Sequence, residues 1–212
     1  MSNDPTDELR RLTEGGETAL AELFSEYQER LERIVSFRLE PRIRGRLDPA
    51  DVLQEAYLEI TRRYHEYLQN PSVSFFVWLR QRTLQTMIDL HREHFREKRD
   101  PNRENRYISQ PNSQTTSMSI ARFLLDEVTS PSQAAVDAEE SQRLHAALES
   151  MQEVDREVLA LRHFEHLSNL QVAEILGLSS TAASNRYIRA AARLSEIVAN
   201  LHPSIVRKDV GQ

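Results

Sequence analysis

Residues 168–194, SNLQVAEILGLSSTAASNRYIRAAARL, constrain this chain most, because apolar side chains recur there at a helical period on both sides of one glycine. Ser168 followed three residues later by Gln171 is a capping-box pair, which predicts a helix start. Val172, Ala173 and Leu176 give that helix an apolar face. Gly177 falls where the helix must end, since glycine enters the left-handed region without steric penalty. Leu178 is placed to plug the corner, and Ser179 to cap the next helix. That second helix carries Ala183, Tyr187, Ala190, Ala191, Leu194, Ile197 and Val198 on its inner face. Ser180, Thr181, Ser184, Asn185, Arg186, Arg189 and Arg193 lie on the other. Short hydrogen-bonding side chains at the start suit base edges in a major groove, and arginines behind them suit phosphates. Helical pairs with glycine at the corner also occur in plain bundles and repeat proteins, so the segment alone leaves that alternative open.

The rest of the chain fits a helical class. Its 212 residues are enough for one large domain or two small ones. With 39% hydrophobic and 28% charged residues, they favour thin, well-solvated helical domains over a thick core. Only five glycines and eight prolines punctuate it. A formal net charge of −6 argues against a protein that coats nucleic acid nonspecifically. It allows a DNA reader whose basic residues share one face and which needs a partner to bind well. No cysteine is present, which excludes disulfides and thiolate metal sites. The polar, acidic start MSNDPTDELRR is unlike a signal peptide, and no apolar run is long enough to span a bilayer. The expectation is a soluble cytoplasmic protein with no membrane insertion.

Along the chain, Leu20, Leu23, Phe24, Tyr27, Leu31, Ile34, Val35 and Leu39 predict a helix over 17–39, stopped by Pro41. A basic connection follows, with Arg42, Arg44 and Arg46. Asp48-Pro49 reads as an N-cap and first-turn proline, opening a helix with Leu53, Ala56, Tyr57, Ile60 and Tyr64 on one face. QNPSVS, residues 69–74, is a loop, and a third helix begins near Ser74. The Asn, Ser, Gln, Thr and Pro of 101–131 read as linker, with an apolar island over 120–125. Leu144, Leu148, Met151, Val158, Leu159, Leu161 and Phe164 then resume the helical period. The predicted organisation is all-α: a tail over 1–9, a helical domain over 10–98, a flexible linker over 99–134, a second helical domain over 135–200, and a tail over 201–212.

Residues 75–92, FFVWLRQRTLQTMIDLHR, interleave Phe75, Phe76 and Trp78 with Arg80, Arg82 and Arg92. Rings that stack on bases and guanidinium groups that hold the backbone suit single-stranded DNA, although each ring taken singly also suits a core. Residues 48–58, DPADVLQEAYL, closely resemble the polymerase-docking helix of extracytoplasmic-function (ECF) sigma factors, the smallest branch of the sigma-70 family. The match rests on Asp48, Asp51, Gln54, Glu55 and Leu58, with Tyr57 for the usual aromatic. Trp78-Leu79 with Asp89 and Arg92 resembles the promoter-melting helix. DREVLAL, residues 155–161, resembles the start of region 4. Gly177, Ser179, Arg186, Arg189, Ala190, Arg193 and Leu194 match its recognition helix.

The resemblance implies a region 2 bundle and a region 4 helix-turn-helix, acting with core RNA polymerase and promoter DNA. It assigns docking on the clamp helices of the largest subunit to Asp48, Asp51, Leu53, Gln54 and Glu55. It assigns −10 capture and melting to Tyr67, Asn70, Phe75, Trp78, Arg82, Gln85, Asp89 and Arg92. It assigns −35 reading to Ser180, Thr181, Ser184, Asn185, Arg186, Arg189 and Arg193. The linker would thread toward the RNA exit channel, the polymerase flap would be a further contact, and an anti-sigma factor is a possible partner. The chain departs from the family pattern at Gln85, where asparagine is usual, and at Ser184 and Ala191, where basic residues are usual. His91 with His94, and His163 with His166, have metal-chelating spacing without an evident third ligand, so neither a metal nor another cofactor is expected. No carboxylate is set beside a nucleophile and no glycine-rich phosphate loop occurs, so no enzyme is expected. A free-standing DNA-binding regulator and a helical protein scaffold are the competing classes, and neither needs Gln54 and Glu55 beside Asp51.

Overall fold

The computed structural model describes residues 5–39, 47–96, 113–126 and 134–201, all its regular elements being helical. It divides into two compact units, residues 1–110 and 111–212. In the first, α1 (Pro5–Arg38), α2 (Pro49–Gln69) and α3 (Phe75–Arg96) each pack on the other two. Leu20, Leu23, Leu31, Ile34 and Val35 of α1 meet Val52, Ala56 and Ile60 of α2 and Phe75, Phe76 and Leu79 of α3 in the core. Each such side chain contributes roughly 1.5–3 kcal/mol on burial. Tilted ring pairs lock the three helices, Phe24 with Tyr57 at 4.9 Å and Tyr27 with Phe76 at 4.8 Å. The Arg30 guanidinium lies 3.8 Å from the Phe76 ring centre. Asp48 caps α2, accepting from the Ala50 N–H at 2.9 Å, with Pro49 in the first turn as the sequence predicts.

The expected N-terminal tail is instead helical from Pro5 onward. α1 kinks at Gly16, whose φ of 56° and ψ of −135° suit glycine and hardly any other residue. The kink folds the first turns back along the bundle. Leu12 is buried, Arg11 Nη2 reaches Glu26 Oε1 at 2.7 Å, and the Tyr27 hydroxyl donates to the buried Glu8 carboxylate. The polar, glycine-broken sequence of 5–16 carries too few apolar residues to announce this helix. Burial pushes the Glu8 carboxyl above its ordinary range, against the opposing bond from Tyr27. Burial, reinforced by Glu8, also raises the Tyr27 phenol.

The second unit comprises α4 (Ser113–Asp126), α5 (Ala134–Glu149), α6 (Glu153–Leu159), a π turn (Ala160–Phe164), α7 (Asn169–Leu176) and α8 (Ser180–Leu201). α8 packs on α5, α6 and α7, and α4 on α5 and α6. α4 lies where the sequence predicts linker. Its buried face is built of Thr116, Ser117, Ser119, Ile120 and Ala121, so most of it is small hydroxyl side chains that hydropathy does not register. Thr116 Oγ1 donates to Glu157 Oε2 at 3.1 Å, and Phe123 meets the edge of Phe164 at 5.1 Å. The apolar island of 120–125 thus docks inside this unit. Pro41 with its basic connection, residues 97–112 and 127–133 of the expected linker, and the tail from 202 onward lie outside the described residues. No described helix is long and apolar enough to cross a membrane.

The raised Glu8 carboxyl gives a signed pH dependence. The folded state holds that proton more tightly than the unfolded chain. Its contribution to stability is therefore fully present below the unfolded carboxyl range and is lost as pH climbs through the folded value. Glu8→Gln removes this loss while keeping an acceptor for Tyr27. The variant should gain on the unaltered chain as pH rises from the carboxyl range to neutrality. Urea midpoints followed by fluorescence of the single tryptophan, Trp78, check this; a pH-independent difference would refute it.

Candidate nucleic-acid interfaces

On α2, Asp51, Gln54 and Glu55 are exposed at one, four and five residues into a single face. Leu58, three residues beyond Glu55, is 45% exposed and completes that stripe. Leu58 was outside the expected docking set, yet its i+7 spacing from Asp51 was legible. Leu53 is a correction. It is only 3% exposed, in line with the buried Ala56, Ile60 and Tyr64, so it holds the helix and presents no side chain to a partner. Asp48 is exposed but its carboxylate is engaged as the N-cap.

On α3, Trp78, Arg82, Gln85, Asp89 and Arg92 recur at intervals of three and four and form one stripe. Gln85 Nε2 donates to both Asp89 carboxylate oxygens at 3.1 Å, and Arg92 Nη1 lies 3.4 Å from Asp89 Oδ1. Gln85, longer than the usual asparagine, thereby spans one helical turn to Asp89. Phe75 and Tyr67, expected at this interface, are buried; so is Arg80. They act from behind: Tyr67 sits 5.0 Å and Phe75 5.9 Å from the half-buried Trp78 ring, the latter nearly parallel. The Tyr67 hydroxyl donates to the Val73 carbonyl at 3.0 Å, and exposed Asn70 ends α2 with its N–H on the Tyr67 carbonyl. This closes the loop beside Trp78.

In the second unit the predicted corner is present atom by atom. Gln171 N–H donates to Ser168 Oγ at 3.2 Å, and Ser168 N–H to Gln171 Oε1 at 3.1 Å. Gly177 is left-handed, with φ 62° and ψ 34°. Ser179 Oγ accepts from the Ala182 N–H at 3.1 Å, capping α8. Asn169 Nδ2 donates to the Ser180 carbonyl at 2.8 Å and hydroxyl at 2.7 Å, tying the start of α7 to the start of α8. Ahead of the corner, Arg156 is 4% exposed and donates to the Leu148 and Met151 carbonyls at 3.0 and 2.9 Å. It thus closes the end of α5 and fixes α6.

Ser180, Thr181, Ser184, Asn185, Arg189 and Arg193 are exposed on α8, as expected. Ile188 joins them at 62% exposure, one turn beyond Ser184, and the inner-face pattern of the sequence leaves it outside. Arg186 departs from expectation. Its Nη1 is 2.7 Å from Asp155 Oδ1 and 3.4 Å from Gln152 Oε1, both at the start of α6. Arg193 pairs only with its own neighbour Glu196 at 3.3 Å, and Arg189 has no ion-pair partner among the described residues. The histidine pairs also differ from expectation. His166 lies beyond the π turn with φ 53°, off the helix of His163, and the His94 side chain lies outside the described residues. Among the described residues, no three His, Asp or Glu side chains cluster as a metal site.

The sequence model of the ECF sigma factor family matches residues 2–198. A curated relative from Xanthomonas campestris pv. campestris, described as a probable RNA polymerase sigma factor RfaY, is 32% identical over 142 residues. The match takes in 67% of this chain and 32% of the relative, so the chain spans about a third of that relative's length. A solved structure, described as CnrH in complex with the cytosolic domain of CnrY, is similar over 91% of this chain and 96% of its own, at 21% identity and a TM-score of 0.49.

The corner gives a clean backbone test. An added Cβ at Gly177 meets nothing within 4 Å, so Gly177→Ala should cost only its left-handed conformation, about 1–2 kcal/mol. Gly177→Asn should cost less, because asparagine tolerates that conformation. Far-ultraviolet dichroism of unfolding ranks the two; equal losses would point to packing instead.

Proposed function

The chain belongs to the ECF sigma factor family, and from that premise we propose that it directs core RNA polymerase to particular promoters and helps to open them. The observation that carries this reading is the exposed α2 stripe of Asp51, Gln54, Glu55 and Leu58, beside a separate helix-turn-helix. A free-standing DNA reader has no use for the first, and a protein scaffold none for the second. Acidic and amide side chains around one exposed leucine suit a coiled, basic polymerase surface such as the clamp helices. A further polymerase contact falls to the flap, and an anti-sigma factor is a further partner in this reading. Such a chain works in the cytoplasm, where the polymerase is, and carries out no covalent chemistry of its own.

Promoter opening then follows from Trp78. Flipping a base costs a few kcal/mol, and each stacked base returns about 1–3 kcal/mol. Trp78 is braced by Tyr67 and Phe75, so little motion is lost when a base stacks on it. Arg82 and Arg92 on the same stripe serve the backbone of the separated strand, while Gln85, Asp89 and Asn70 offer hydrogen bonds to flipped bases. At the −35 element, Ser180, Thr181, Ser184 and Asn185 face base edges and Arg189 and Arg193 face phosphates. Ile188 supplies an apolar contact suited to a thymine methyl group. Two weak contacts carried on one polymerase raise each other's effective concentration, which suits an acidic chain.

Run-off transcription with core polymerase and a genomic promoter library tests the reading: new, specific start points support it. Operator binding without polymerase, and no new start point, would favour the free-standing regulator. Trp78→Ala should lower permanganate reactivity at the start site by tenfold or more while the chain still co-migrates with core enzyme, since one lost stack of about 1–3 kcal/mol spans that factor. Undiminished opening would remove Trp78 from the role. Phe75→Ala should instead destabilise the first unit by about 3–5 kcal/mol, as a core residue does.

A further inference from the structure

Arg186 is the one basic residue of the α8 outer face whose guanidinium is held by another helix. The Asp155 carboxylate at 2.7 Å and the Gln152 amide oxygen at 3.4 Å both approach the same Nη1. The ion-pair partners are only 27% and 24% exposed, whereas Arg193 and Glu196 are 59% and 65% exposed and adjacent on one helix. A half-buried pair between elements is poorly screened by salt, while an exposed i, i+3 pair opens readily. Gln152 is informative here. It occupies the N-cap position of α6 without capping it, and its side chain is turned to Arg186 instead. Asp155 lies in the first turn of α6, where a carboxylate also favours the helix dipole, so it is anchored at both ends.

We infer that Asp155, aided by Gln152, is a built-in counterion that occupies Arg186 in place of a DNA phosphate. The inference rests on the −35 reading of α8 and adds to it a charge-setting residue outside the recognition helix. With Arg186 neutralised and Arg193 loosely paired, Arg189 supplies most of the net positive charge on this face. The unit then discriminates by its short polar side chains, with only weak nonspecific attraction to duplex.

The test measures salt dependence. The full chain and its variants are titrated onto a short fluorescein-labelled duplex carrying the upstream element recovered by the promoter selection. Each phosphate neutralised adds about 0.9 to the slope of log affinity against log salt. Asp155→Asn should steepen the slope by about 0.9, making binding about eightfold tighter near 0.1 M salt with the curves meeting near 1 M. It should also narrow the margin between that duplex and a scrambled one. Arg186→Ala should leave the slope in place in the unaltered chain, and lower it by about 0.9 when Asp155 is already Asn. Far-ultraviolet dichroism verifies that α6 persists. If Asp155→Asn unfolds the unit, the Arg186→Ala slope decides alone. A slope lowered by Arg186→Ala alone, or a folded Asp155→Asn with an unchanged slope, overturns the counterion. A selection that recovers no upstream element overturns the −35 reading itself, and this inference with it.

Discussion

A protein made of short helices gathers its unmet backbone groups at helix ends, and how those ends are closed decides where every exposed face points. Here the closures are specific. Asp48 starts α2, the Ser168–Gln171 box starts α7, Ser179 starts α8, and Arg156 stops α5 from inside the core. Each cap spends a polar side chain on the backbone and so removes it from other duties. Asp48 shows the consequence: a residue expected at a partner surface is already committed to its own helix.

The same economy of roles separates what braces from what is offered. Around Trp78, two buried rings and one tyrosine hydroxyl fix the geometry, while the partly exposed indole remains available. On α2, Leu53 anchors and Leu58 is presented, five residues apart on opposite sides of one helix. In both cases the residue next to the core is the one whose position is settled most firmly, and the outward residue inherits that precision.

Much of this was legible in the residues. Asp48-Pro49, the Gly177 corner and the α3 stripe all follow from local rules of capping, glycine conformation and helical period. Leu53 was legible too, since its period with Ala56, Ile60 and Tyr64 already marks it as core. α4 was not, because threonine and serine bury well when small size matters more than hydropathy. The helix before Gly16 was not, because its docking rests on Leu12 and on a carboxylate whose partner lies nineteen residues away. Nor was the pairing of Arg186 with Asp155, across thirty-one residues, since a helical wheel contains no information about a neighbouring helix.

The π turn at Ala160–Phe164 adds one residue to a helical circuit just before the chain enters the His166–Ser168 bend. With it, Val158, Leu159, Ala160, Leu161 and Phe164 are all buried, a run that a lone amphipathic α-helix does not sustain. Phase along the chain is therefore set by an insertion. Deleting a single residue there would turn everything downstream by about 100° about the helix axis. For descent among such chains, length at this point is as consequential as identity: a change of one codon would redirect α7 and α8 without altering any residue on them.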